Sequence, residues 1–324
     1  NYETNMKATV MAGIGHQLGI GGVLGIALGL LSACQVAPAP SSSNSESKTV
    51  LTTFTVIADM AQNVAGDRLR VVSLVKPGAE IHGYEPTPQD IERGEKAALI
   101  LDNGLNLERW SERFFQHFPQ VPRTTLSEKI TPLTIASDRY QGQPNPHAWM
   151  SPKNALIYVD NIRQAFIELD PQNTTTYNQN AKIYQQKIRE LDQKLRQAIS
   201  QIPVDQRYLV SCEGAFSYLA KDYGLKEIYL WPVNAEKQAT PQQIAQAIAQ
   251  VKAQKIPAVF CESTVNDQAQ RQVAEESGAK YGGVFYVDSL SPPAGPASTY
   301  LKLLEHNIKT LMQGLEPKIS LNPP

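Results

Sequence analysis

The sequence predicts an α/β protein in which helices cover parallel sheets, arranged as two halves about one long helix. Three observations carry this reading. In the first half, short runs rich in Val, Ile and Thr alternate with segments of helical spacing. The second half repeats that alternation. Between them an apolar pattern of threes and fours runs longer than a typical globular helix. The 324 residues suit two domains, and an apolar share of 42% against 19% charged is enough for a real core.

The elements follow in chain order. Val50–Ile57 and Leu69–Val75 read as strands. Ala97–Leu101 is a third, closed by Asn103-Gly104. Leu105–Phe118 places Leu107, Trp110, Phe114 and Phe118 at helical spacing. The long stretch has Asp170 as N-cap and Pro171 as first helical residue. Tyr177, Ala181, Tyr184, Ile188, Leu191, Leu195 and Ile199 then recur until Pro203. A helix of about 30 residues spans roughly 45 Å, which makes it either a stiff connector between two lobes or a long surface helix of one domain. Further strands are expected at Tyr208–Ser211, Ile228–Trp231, Ala258–Cys261 and Val284–Val287, with helices at Pro241–Ala253 and Asp267–Glu276. In sheets of this kind ligands bind beyond the carboxyl ends of the strands.

Ahead of the folded body, Lys7 precedes Ala8–Ala33, which holds no charged residue and is most apolar over Ile20–Leu31. A basic start, an apolar run and small residues before a cut site make a secretory signal. Leu31-Ser32-Ala33-Cys34 is similar to a bacterial lipobox, which implies that Cys34 is lipidated. The plain alternative is an uncleaved membrane helix, helped by Gly21, Gly25 and Gly29 at four-residue spacing. Residues 34–48 are dominated by Pro and Ser and read as a flexible tether. The expected organisation is a signal at 1–33, a tether at 34–48, one lobe at 49–169, a linking helix at 170–203 and a second lobe at 204–324. The expected compartment is extracytoplasmic, with the body held to a membrane through Cys34.

With 30 basic against 31 acidic residues the net charge is −1, which argues against nucleic acid as a partner. Three cysteines and five histidines are few, so any metal site must draw its ligands from distant parts of the chain. His82 lies on a loop stiffened by Pro77, Pro86 and Pro88. His147 follows Pro144-Asn145-Pro146 with Trp149 beside it. Either is an ordinary loop histidine if taken alone. Glu213 and Asp288 end candidate strands of the second half, where a first-turn Glu and a turn-capping Asp are the plain alternatives. Together, two imidazoles from one half and two carboxylates from the other can close on a divalent cation, with charge neutralised and a mixed N/O shell that suits Mn(II) or Zn(II).

The pieces His82-Gly-Tyr-Glu-Pro-Thr-Pro-Gln-Asp90, Asn103-Gly-Leu-Asn-Leu-Glu-Arg-Trp110, Pro146-His147-Ala-Trp149 and Asp288-Ser-Leu-Ser291 resemble the zinc/manganese-binding lipoproteins of bacterial ABC importers. So does Tyr300–Leu315, with Asn307 and Gly314, and the likeness runs in order from about Val50 to Leu315. The resemblance implies two lobes, each with a four-stranded parallel sheet, joined by one long rigid helix. It implies the metal ligands His82, His147, Glu213 and Asp288, and as partners a membrane permease with its ATPase. Two departures bear on the metal. Many zinc members have His where this chain has Glu213, and zinc members often carry a His-rich loop, whereas Thr124–Gln143 contains none. Both point to Mn(II), although ligand type alone does not secure manganese over zinc. Asn145 stands where the family often has Asp.

Cys212 and Cys261 each end a second-half strand, so neighbouring strand ends bring them within reach of each other. Outside the cytoplasm a disulfide is expected, and two buried thiols are the alternative. Because Cys212 adjoins Glu213, metal affinity is expected to depend on redox state. Glu262 is expected to orient neighbours, and His117 and His306 to be surface or packing residues. The function expected is Mn(II) capture and delivery, without catalysis, with zinc capture as the alternative. A zinc hydrolase would need an open metal position and a general base, and neither His-Glu-x-x-His nor Gly-x-Ser-x-Gly occurs. A surface adhesin that metal only stabilises is the remaining alternative.

Overall fold

The computed structural model describes residues 47–136, 138–233 and 239–315. The expected signal, Cys34 and residues 35–46 of the expected tether lie outside the described residues. Among the described residues no helix is long and apolar enough to cross a membrane.

The first lobe is built on β1 (Thr49–Thr52), β2 (Arg70–Ser73), β3 (Leu99–Asp102) and β4 (Arg123–Thr125), in the order β2-β1-β3-β4 and parallel throughout. β1 is shorter than its Val/Ile/Thr run suggests. The β-branched residues Thr55, Val56 and Ile57 instead open helix α1 (Thr55–Ala65). There Val56, Met60 and Val64 fall on one buried face, and burial on a helix outweighs strand propensity. Helix α2 (Pro88–Glu95) starts at a capping box made by Thr87 and Asp90, with Pro88 in the first turn. The predicted helix over Leu105–Phe118 shrinks to α3 (Ser111–Phe115). Leu105 and Asn106 take left-handed φ of 54° and 63°, and the Glu108 carboxylate accepts from the backbone N–H groups of Asn103 and Gly104. That coils the chain before any helix can form. The aromatic spacing still pays out as packing, with Phe114 and Phe118 rings 4.8 Å apart.

Helix α4 (Pro152–Leu169) begins at the Ser151 N-cap and ends at Asp170. A single 3₁₀ turn, Pro171–Asn173, leads into the long helix α5 (Thr174–Ser200). Asp170 therefore ends α4 and also caps that 3₁₀ turn, with Pro171 first in it, so the regular α-helix starts three residues later than expected. Its carboxylate accepts from the Asn173 amide and the Tyr177 hydroxyl. Twenty-seven residues give α5 a length of about 40 Å. Its predicted stripe, Tyr177 to Ile199, is buried throughout.

The second lobe holds β5 (Tyr208–Glu213), α6 (Ser217–Tyr223), β6 (Lys226–Trp231), α7 (Pro241–Ala253), β7 (Ala258–Glu262), α8 (Gln268–Ser277), β8 (Lys280–Phe285) and α9 (Tyr300–Leu315). Its four strands form two parallel ladders, β5 with β6 and β7 with β8. β5 lies beside β7, joined by the Cys212–Cys261 disulfide with Cα atoms 4.9 Å apart. Side chains stitch this seam. The buried Gln270 amide donates to the carbonyls of Val210 and Phe260, one on each strand, and Glu262 Oε2 accepts from Glu213 N. β8 begins and ends earlier than its apolar run, and its register shifts opposite Val259 and Phe260, where Gly282 is passed over and Gly283 takes a φ of 135°.

One apolar core joins the lobes. It runs from Ile57 and Leu101 through Tyr184 and Ile188 of α5 to Phe260, Phe285 and Leu303.

Candidate metal centre

Three of the four sequence-identified residues follow or end a strand, and His147 stands at the start of a 3₁₀ turn ahead of α4. His82 follows β2 on a loop pinned from several directions. Glu80 accepts from His82 N through Oε1 at 2.7 Å and from Gly83 N through Oε2 at 2.8 Å. Trp110 Nε1 donates to Ile81 O, and Gly78 N donates to Ser289 Oγ of the second lobe. His147 sits just before a 3₁₀ turn, Ala148–Met150. The Trp149 ring lies 5.2 Å from its ring, and Trp149 Nε1 donates to Val287 O, the residue before Asp288. Glu213 is the last residue of β5. Asp288 lies three residues past the end of β8.

The structure brings these four together. His82 Nε2 is 3.2 Å from His147 Nε2, 3.3 Å from Glu213 Oε1 and 3.7 Å from Asp288 Oδ2. His147 Nε2 is 3.7 Å from Glu213 Oε1 and 3.6 Å from Asp288 Oδ1. One donor atom from each residue lies within 4.8 Å of all the others, and all four residues are buried.

The electrostatics fit a cation. Burial, then the charge of Arg109, pushes His82 down to about 3. Burial, then the neighbouring His82, holds His147 well below the usual imidazole range. Both rings are thus neutral, and each has a lone pair to give. The Asp288 carboxyl is pushed well up by burial, then by the charges of Glu213 and Glu80. Neither Asp288 oxygen has a hydrogen-bond partner among the described residues. Buried carboxylate oxygens are normally hydrogen-bonded, so this arrangement asks for a positive charge between the four side chains.

The outer contacts are specific. Asn145 Oδ1 accepts from both the N–H and Nδ1 of His147, each at 3.0 Å, which leaves Nε2 facing the centre. Glu262 is buried and pushed up to about 8 by burial; it supports the backbone of Glu213 and stands outside the set of four. Glu85 and His117 are exposed, and His306 Nε2 lies 2.9 Å from Val284 O, away from the centre. Sequence reasoning missed Glu80. The available signal was an acidic residue two positions before a loop histidine.

The model of the family described as "Zinc-uptake complex component A periplasmic" matches residues 50–314. The iron-binding protein YfeA of Yersinia pestis is 53% identical over 285 residues, covering 88% of this chain and 92% of that protein. The manganese ABC transporter substrate-binding lipoprotein PsaA of Streptococcus pneumoniae is 31% identical over 292 residues, 88% of this chain and 94% of its own length. Among solved structures, the Mn-bound periplasmic metal binding protein from Candidatus Liberibacter asiaticus superposes with a TM-score of 0.78 at 42% identity, covering 83% of this chain and 100% of that one.

Proposed function

The chain belongs to the zinc-uptake complex component A family of periplasmic metal-binding receptors for ABC importers, and from that premise we propose that His82, His147, Glu213 and Asp288 hold Mn(II) as cargo between the lobes. Members of this family are substrate-binding transport proteins, not enzymes. The observation that carries the ligand reading is Asp288, a buried carboxylate with neither oxygen hydrogen-bonded, 3.6–3.7 Å from two imidazole nitrogens. Two carboxylates neutralise a dication, and their oxygens allow more than four bonds, which suits manganese better than tetrahedral zinc.

Zinc and iron are the rival cargoes. The family description names zinc and one close relative is named for iron, while a His₂ pair with two carboxylates offers acceptable donors to both. The deciding measurement is metal content of the purified protein after loading at controlled free Mn²⁺, Fe²⁺ and Zn²⁺. Stoichiometric manganese that is lost in His147→Ala supports the reading. Failure to load manganese under conditions where iron or zinc loads overturns it.

The first lobe would span 49–169 and the second 204–324, with 170–203 between. Cys34 would carry the lipid that holds the receptor to a membrane. Cys34→Ala should move the protein from the membrane fraction to the soluble one.

A further inference from the structure

Asn145 touches both halves of the ligand set. Its Oδ1 accepts twice from His147. Its Nδ2 donates to Gly214 O at 2.7 Å and to Ser217 Oγ at 3.2 Å, both on the second lobe. Gly214 directly follows Glu213. The orientation of the amide is fixed by its surroundings. Reversed, it would set an oxygen against the Gly214 carbonyl and an N–H₂ against the His147 N–H. The Gly214 carbonyl is itself fixed, since Gly214 N donates to Trp231 O and a Cβ here would lie 2.8 Å from Pro232 O. The backbone of Asn145 is tied across the same boundary, its carbonyl accepting from Tyr218 of α6 at 2.7 Å.

We propose that Asn145 is the positioning residue that fastens His147 to the Glu213 turn across the lobe boundary, so that ligands from opposite lobes stand at binding distance before an ion arrives. One neutral amide does two things. Its oxygen keeps the His147 proton on Nδ1. Its N–H₂ holds the Gly214 carbonyl, and the Glu213 turn moves away from His147 only when that bond breaks. The inference rests on the ligand reading given above.

Two variants of the full chain separate these roles. Asn145→Ala removes both. Asn145→Asp keeps an acceptor for His147 and removes the donor to Gly214 O. The probes are Mn²⁺ alone, with stopped-flow release into a chelator, and ¹⁵N NMR of the His147 ring in metal-free protein. In Asn145→Ala, manganese affinity should fall 10- to 100-fold, mostly through faster release, and the ring should lose its pure Nδ1–H signature. In Asn145→Asp the Nδ1–H signature should persist while release speeds up about tenfold with association unchanged.

Release from Asn145→Asp at the wild-type rate or slower overturns the clamp. Unchanged tautomer and affinity in Asn145→Ala overturn the whole inference. If Asn145→Ala fails to fold, the near-isosteric Asn145→Asp decides alone. His147→Ala keeps this separate from the ligand reading. Intact manganese binding there sinks the ligands, while lost binding there with a silent Asn145 pair sinks only the clamp.

Discussion

Replacing Asp288 by Asn should have opposite effects on the metal-free and the loaded protein. Without a cation, Asp288 is a buried carboxylate with neither oxygen hydrogen-bonded, within 4.8 Å of a Glu213 carboxylate oxygen. Two unit charges at about 4.8 Å repel by about 3.5 kcal/mol at an effective dielectric of about 20. The wild type can escape part of this by taking up a proton, since burial pushes the Asp288 carboxyl well up. The folded protein then binds that proton more tightly than the unfolded chain, so metal-free stability falls as pH rises above the ordinary carboxylate range. Asp288→Asn removes that loss. The expected gain for metal-free protein is about 1–3 kcal/mol, or roughly 3–10 °C in Tm at neutral pH. Saturating manganese should reverse the order. Ligand at 100 times Kd adds about 2.7 kcal/mol to the wild type, and a variant that binds a hundredfold more weakly gains only a few tenths. The assay is thermal unfolding in chelator and in excess Mn²⁺. A lower Tm for Asp288→Asn in chelator would mean that Asp288 caps a turn. An unchanged manganese-induced shift would remove it from the ligand set.

Glu213→His should move the Mn/Zn affinity ratio towards zinc, because a third imidazole suits zinc, and an unchanged ratio by competition calorimetry counts against the assignment. Reducing Cys212–Cys261 releases a 49-residue loop and should cost about 4 kcal/mol in unfolding experiments. It should also shift manganese affinity through the adjoining Glu213; equal affinity before and after clean reduction sinks that coupling. Burial pushes Glu227 up to about 7 from 4.5, so its contribution is full below about pH 4.5 and lost as pH rises through 7. Glu227→Gln should therefore gain up to about 3 kcal/mol on the wild type at pH 8 and nothing at pH 4, and a pH-independent difference refutes it. Hydrogen exchange should show metal loading protecting the backbone around His82, His147, Glu213 and Asp288 while α5 stays unchanged; altered protection along α5 would contradict local release.

The four candidate ligands were legible because rare residue types stood beside strand ends and prolines, and strand ends are where this architecture places ligands. The α5 stripe was legible because seven apolar positions held one phase over its length. What failed was local competition. Val56 and Ile57 look like strand and form helix, because only a helix buries Val56, Met60 and Val64 together. Leu105–Phe118 carries helical spacing, yet the buried Glu108 captures the N–H groups that the turn would otherwise leave open. Of the seam between β5 and β7, the Cys212–Cys261 bridge was legible from two cysteines at strand ends, while the hydrogen bonds of Gln270 and Glu262 across it were not. Those bonds depend on side chains meeting backbone groups up to 60 residues away.

On the proposed ligand reading, cargo leaves by a local movement. Trp149 and Tyr300 are both fully buried where the lobes meet, and the Tyr300 hydroxyl donates to Trp149 O. Tyr300 N donates to Asp59 of α1, and Leu290 N to Thr55 Oγ1. Parting the lobes as rigid bodies would expose both aromatic side chains. At roughly 200 Å² each and about 25 cal/mol/Å², that costs on the order of 10 kcal/mol, comparable with the whole stability of an ordinary domain. The ties at the ligands themselves are cheaper. They are a handful of hydrogen bonds, Gly78 to Ser289, Asn145 to Gly214, Ser217 and Tyr218, and Trp149 to Val287, each with a net worth of about 1 kcal/mol. A permease that pulls on the turns carrying His82 and Asp288, or His147 and Glu213, works against these bonds and the metal. It leaves the shared core around α5 intact.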